Sequence, residues 1–143
     1  MAAHLNKYLN EKCGIEGKDI RTYSPLTLAY IGDAIFDVII RSILVNKGNT
    51  AVNKLHKRAS DIVKAGTQSA FIKALMDNLT EEEADIYRRG RNSKPHTKAK
   101  NATTSDYKRA TGCEALIGWL YLQGRWERLI TLLHSGLEQL GYL

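Results

Sequence analysis

A chain of 143 residues is one domain by length, long enough to bury a core and too short for a catalytic domain plus a sizeable second module. Its 43% hydrophobic and 25% charged residues are those of a folded globular protein, and a formal charge of +6 leans toward a polyanion such as nucleic acid or an acidic membrane surface. No apolar run reaches the roughly 20 residues of a membrane span, the opening MAAHLNKYLNEK is too polar for a signal peptide, and Cys13 and Cys113 match neither a disulfide framework nor a metal-ligand spacing, so a reducing cytoplasm is the expected compartment.

In chain order, Leu5, Tyr8 and Leu9 are spaced for a short helix that Gly14 and Gly17 break, and residues 1–23 are assigned no chemistry. Ser24 as cap and Pro25 in the first turn open a helix expected to run to about Asn46, with Leu28, Ile31, Ile35, Val38 and Ile39 inward. Thr50 is placed as the cap of the next helix, whose inward stripe is Val52, Leu55, Ala59, Ile62 and Val63 and whose other face carries Lys54, Lys57, Arg58 and Lys64. Gly66-Thr67 restarts the chain, Thr67 capping a helix that buries Phe71, Ile72, Leu75 and Leu79. Thr80 followed by Glu83 is a capping box for a helix ending near Arg89-Gly90. From residue 91 to 104 the periodicity vanishes and a loop is expected. Thr104 or Ser105 then caps a helix to about Gln123, and a last amphipathic helix turns Leu129, Leu132, Leu133, Leu137 and Leu140 inward. Nothing alternates with a two-residue period for long enough to be a strand, so the fold class is all-α.

Two helices carry an anomaly. In LTLAYIGDAIFDVIIR, Leu26 to Arg41, Asp33 follows a glycine inside an apolar run with no Lys or Arg one turn away on either side. In TGCEALIGWLYL, Thr111 to Leu122, Glu114 is the sole charge. Brought together, two such carboxylates are a site for a hard divalent cation, since magnesium keeps several waters and needs few protein oxygens. The competing explanation is that each acid lies at a wet surface or meets an arginine elsewhere in the fold. Gly32 and Gly118 would let the two helices approach closely enough for the acids to meet. Asp37 has Arg41 one turn on and is left outside the cation's ligands.

The stretch from Arg88 to Arg109 is one-signed, with Arg88, Arg89, Arg91, Lys94, Lys98, Lys100, Lys108 and Arg109 against the lone acid Asp106. Such a run suits phosphates, with Asn92 beside it, and its lack of aromatic stacking platforms favours a duplex over a single strand. Lys57 and Arg58 add a second basic face. The four histidines do not cluster at ligand spacing, and Cys113 among apolar neighbours reads as an inert buried thiol.

At LAYIGDAIFDVIIR and CEALIGWLYL the chain resembles the ribonuclease III catalytic domain, whose signature helices read ERLEFLGDAVL and DxxEALIGAIFL. The resemblance spans about residues 24–140 of a single domain over 1–143, and LHKRAS and RRGRNSK narrow it to Mini-III, the short bacterial branch without a double-stranded-RNA-binding domain. It implies an all-helical homodimer that cuts double-stranded RNA with Mg2+, or Mn2+ as substitute, leaving 5'-phosphate and 3'-hydroxyl ends, and in bacteria trims the precursor of 23S ribosomal RNA. The matched motifs place the family's catalytic and metal-binding acids on Asp33 and Glu114. Leu26, Ala29 and Thr111 stand where the broad signature has acids, and Thr111 is expected to hold a water of the cation in place of a carboxylate. RNA contacts are expected from Lys57, Arg58, Arg88, Arg89, Arg91, Asn92, Lys94, Lys98 and Lys100. The alternative, motivated by the thinned acid set, is a catalytically silent RNA-binding or ribosome-assembly module on the same fold.

Overall fold

The computed structural model describes residues 5–93 and 104–143. Seven α-helices account for most of them: α1 Leu5–Cys13, α2 Pro25–Asn46, α3 Val52–Val63, α4 Ala65–Leu75, α5 Glu81–Arg91, α6 Thr104–Leu122 and α7 Trp126–Gln139. The described residues contain no strand, as the patterning requires. No helix among them is long and apolar enough to cross a membrane.

Local chemistry accounts for two of the helix starts, those of α2 and α5. Ser24 Oγ accepts from the Thr27 amide at 3.2 Å with Pro25 as the first helical residue, so the orphan donors of α2 are met by the residues expected to meet them. The α5 capping box is complete: the Thr80 amide donates to Glu83 Oε1 at 2.9 Å and the Glu83 amide to Thr80 Oγ1 at 3.1 Å. Three expected caps are corrected. Ala51, not Thr50, occupies the α3 cap position, and no side chain caps it. Thr67 lies inside α4, which starts at Ala65, and its hydroxyl instead donates to the Asp61 carbonyl at 2.7 Å, finishing α3. Thr104 and Ser105 are already helical in α6.

The core is built around α6, where every residue from Ala110 to Tyr121 except Glu114 is buried. A helix apolar on all sides must be surrounded, and α2, α4, α5 and α7 do so. Leu28, Phe36 and Ile40 of α2 and Ile72 and Leu75 of α4 fill the space between, and the Phe36 and Phe71 rings sit 5.9 Å apart. Two residues expected inward face out instead, Val38 at 58% and Val52 at 76% exposure. The stripe on α3 therefore narrows to Ala59 and Ile62, with Leu55 and Val63 half-buried.

One charge is fully enclosed. Glu83, at 0% exposure, receives Arg128 Nε at 2.8 Å and Nη2 at 2.7 Å on its two oxygens, while Nη2 also donates to the Asn78 carbonyl at 2.7 Å. This two-pronged pair ties the start of α5 to α7. The Arg128 guanidinium holds the Glu83 carboxyl below the usual carboxylate range, and burial only partly opposes it.

Candidate active site

Where α2 crosses α6, the helices touch backbone to backbone. A Cβ on Gly32 would overlap the Glu114 carbonyl oxygen and come within 2.7 Å of its carbon, and one on Gly118 would overlap the Leu28 carbonyl oxygen and come within 2.9 Å of its carbon. Glycine is required at both places by space alone, and each sits within a helix turn of one of the two anomalous acids.

The approach sets Asp33, the residue after Gly32, beside Glu114, close enough for the two carboxyl groups to act on one another. Asp33 lies exposed at the rim and Glu114 is half-buried behind it. Neither takes part in an ion pair among the described residues, so the competing explanation that an arginine neutralises each acid does not hold there. Asp37 does have its local partner, Arg41 Nε at 3.1 Å.

Burial first, then the hydrogen bond and charge of Asp33, push the Glu114 carboxyl up to about 9, against a weaker opposite pull from the Gln68 amide. Two oxygen donors whose charges repel, held together with no ion pair among the described residues, suit a hard divalent ion that takes few protein ligands and keeps its waters. Among the described residues no third His, Cys, Asp or Glu joins them. Thr111, one turn before Glu114, is 7% exposed and donates its hydroxyl proton to the Tyr107 carbonyl at 3.0 Å. What remains on its oxygen is lone-pair capacity, the kind a proton of a cation's water would use. Cys113 is fully shut away, and burial pushes its thiol up, which leaves it an inert neighbour.

One buried polar residue escaped the sequence reading. Gln68 of α4 is 3% exposed, sends Nε2 to the Val63 carbonyl at 2.8 Å, and works weakly against the upward shift of the Glu114 carboxyl. Its signal was there to be found: Gln68 falls in register with Phe71, Ile72 and Leu75 on the inward face of α4, as Asp33 falls inside an apolar run of α2.

The basic residues separate into two groups. Lys57 and Arg58 are exposed on α3, and Arg88, Arg89 and Asn92 are exposed at the end of α5. Arg91 lies over the Tyr87 ring, 5.6 Å from its centre, and its Nε donates to Asn92 Oδ1 at 3.3 Å. Lys94, Lys98 and Lys100, with the loop expected to carry them, lie outside the described residues.

Comparison with known proteins agrees with this geometry. Residues 26–125 match the family model of the ribonuclease III domain. A Mini-ribonuclease 3 of Clostridium tetani is 49% identical over 113 residues, 78% of this chain and 75% of its own. That of Enterococcus faecalis is 43% identical over 126 residues, 87% of this chain and 96% of its own. An X-ray structure of a Fusobacterium nucleatum protein superposes with a TM-score of 0.77 at 35% identity, covering 86% of this chain and 94% of that one. The chain belongs to the ribonuclease III family, in its Mini-ribonuclease 3 branch.

Proposed function

We propose that this chain is an endoribonuclease that cuts double-stranded RNA, with Asp33 and Glu114 as the acids that hold its catalytic cation. The observation that carries the reading is that these two carboxyl groups lie side by side where α2 meets α6, with no ion pair to either among the described residues. Magnesium, or manganese in its place, would supply there the charge that lowers the pKa of an attacking water and steadies the phosphodiester in the transition state. The chain's own residues do the rest. Asp33 at the exposed side and the half-buried Glu114, in its ionised form, would hold the ion, and the buried Thr111 oxygen would orient a water by accepting a hydrogen bond from it. Cleavage leaves 5'-phosphate and 3'-hydroxyl ends.

Lys57, Arg58, Arg88, Arg89, Arg91 and Asn92, together with Lys94, Lys98 and Lys100, take the RNA phosphates in this reading. A homodimer is supported by α2, which leaves Tyr30 82% exposed and Val38 and Val45 each 58% exposed, an apolar row in want of a cover. Two sites would then cut one strand each. The proposed substrate is the precursor of 23S ribosomal RNA in the bacterial cytoplasm.

Asp33→Asn and Glu114→Gln should each reduce cleavage of duplex RNA in magnesium by at least about a thousandfold, roughly 4 kcal/mol of lost transition-state stabilisation, while duplex binding persists. Unchanged cutting by either variant sinks the site. A second reading, a silent RNA-binding module, is favoured by the absence of acids at Leu26, Ala29 and Thr111. Purified protein that yields no metal-dependent product from duplexes of varied sequence would decide for it.

A further inference from the structure

Where α5 lies on α6, backbone again comes close to backbone. A Cβ on Gly90 would lie 2.8 Å from the Ala115 Cβ and 2.9 Å from the Gly112 Cα, and one on Gly112 would lie 2.6 Å from the Tyr87 carbonyl oxygen and 2.7 Å from a carbon of the Tyr87 ring. Neither position has room for a methyl group. Tyr87, 3% exposed, is thus seated with its ring on the α6 turn that carries Thr111 and Glu114.

That ring also meets a charge. The Arg91 guanidinium carbon lies 5.6 Å from its centre and Nε donates to Asn92 Oδ1 at 3.3 Å, so two contacts hold one side chain. Arg88 and Arg89, on the same turn of α5, are exposed, whereas Arg91 is half-buried. No ion pair among the described residues neutralises Arg91. A ring contact uses the charge and not the N–H donors, and of those only Nε is spent among the described residues, which leaves the paired Nη groups for the two oxygens of a phosphate. Packing Tyr87 against Gly112 needs no cation. What Arg91 gains by leaning on the ring is a fixed direction, and a long side chain already ordered loses less freedom on binding.

We infer that Tyr87 is a positioning residue for RNA binding: seated on α6, its ring holds the Arg91 guanidinium ready for one phosphate at a set distance from the cation site. The inference rests on the proposed contact of Arg91 with RNA. It sets Arg91 apart from Arg88 and Arg89, whose charges attract phosphates without being aimed.

The test is duplex RNA binding in the presence of a chelator, measured across a salt series for wild type, Tyr87→Phe, Tyr87→Leu, Arg91→Gln and the double variant of Tyr87→Leu with Arg91→Gln. Arg91→Gln should weaken binding and lower the slope of log affinity against log salt by about 1. Tyr87→Leu keeps every charge and should bind about three- to tenfold more weakly at an unchanged slope, the cost of ordering one freed side chain. Tyr87→Phe keeps the ring and should bind as wild type does. In the double variant the change at Tyr87 should cost nothing further, because the side chain it positions is gone. A loss from Tyr87→Leu that persists in full on top of Arg91→Gln makes Tyr87 a structural residue and overturns the inference, as does wild-type binding by Tyr87→Leu or a Tyr87→Phe as weak as Tyr87→Leu. Should Tyr87→Leu fail to fold by circular dichroism, Tyr87→Met, without a ring and flexible enough to fill the space, carries the same expectation and the same refutation. Wild-type affinity and slope in Arg91→Gln refute the phosphate contact itself and the inference with it.

Discussion

Glu83 and Glu114 are both carboxylates withdrawn into helix packing, and their surroundings drive them in opposite directions. Glu83 meets the Arg128 fork and is held ionised, whereas Glu114 is pushed up to about 9 by burial first and by the neighbouring Asp33 second. In the first case the fold has completed the ion pair and gained a brace between α5 and α7. In the second it has put two acids together and left the charge uncompensated, an arrangement that stability alone does not favour. An acid with its partner serves the architecture, and one without points to something the architecture is meant to hold.

The contrast breaks most visibly at Arg128. Arg128→Met strands the buried Glu83 and should lower stability by about 3–5 kcal/mol in a urea titration. The folded-state pKa of Glu83 lies below its ordinary value, so its contribution is present at neutral pH and is lost as pH falls through that folded value. The variant should therefore lose less stability on acidification than wild type, and parallel acid profiles would show that the pair contributes little. Gly32→Ala comes next, at about 3 kcal/mol, the upper end for forcing a methyl group into closed packing, because the added carbon meets backbone that cannot rotate away. Cleavage should fall with it, and a variant as stable as wild type would mean that α2 and α6 can separate freely. The smallest effect is expected at Glu114→Gln, which should change stability by less than about 1 kcal/mol, since neutral glutamine replaces a carboxyl that already favours its neutral form. A loss as large as that of Arg128→Met would make Glu114 a second brace and end the distinction.

Most of this was legible where the signal is local. The Ser24-Pro25 start and the Thr80 and Glu83 box depend on residues one to three positions apart, and each appears as expected. Thr50 and Thr67 misled because a hydroxyl near a helix start resembles a cap whether or not the backbone enters the helix at that residue. The bond from Arg128 to Glu83 joins residues 45 apart, and the burial of Gln68 depends on how α4 lies across α6. Periodicity gives the face of a side chain but not which element covers it, which is also why Val38 and Val52 were placed inside.

The mutual contact at Gly32 and Gly118 sets a spacing that side-chain repacking cannot easily change. Side chains in a core hop between rotamers and tolerate exchange for others of similar volume, so a gap measured through them drifts as the sequence drifts. A gap measured from one main chain to another behaves like a machined stop. The residues surrounding α6 are thus free to vary over generations while the mouth between the two carboxyl groups keeps its width.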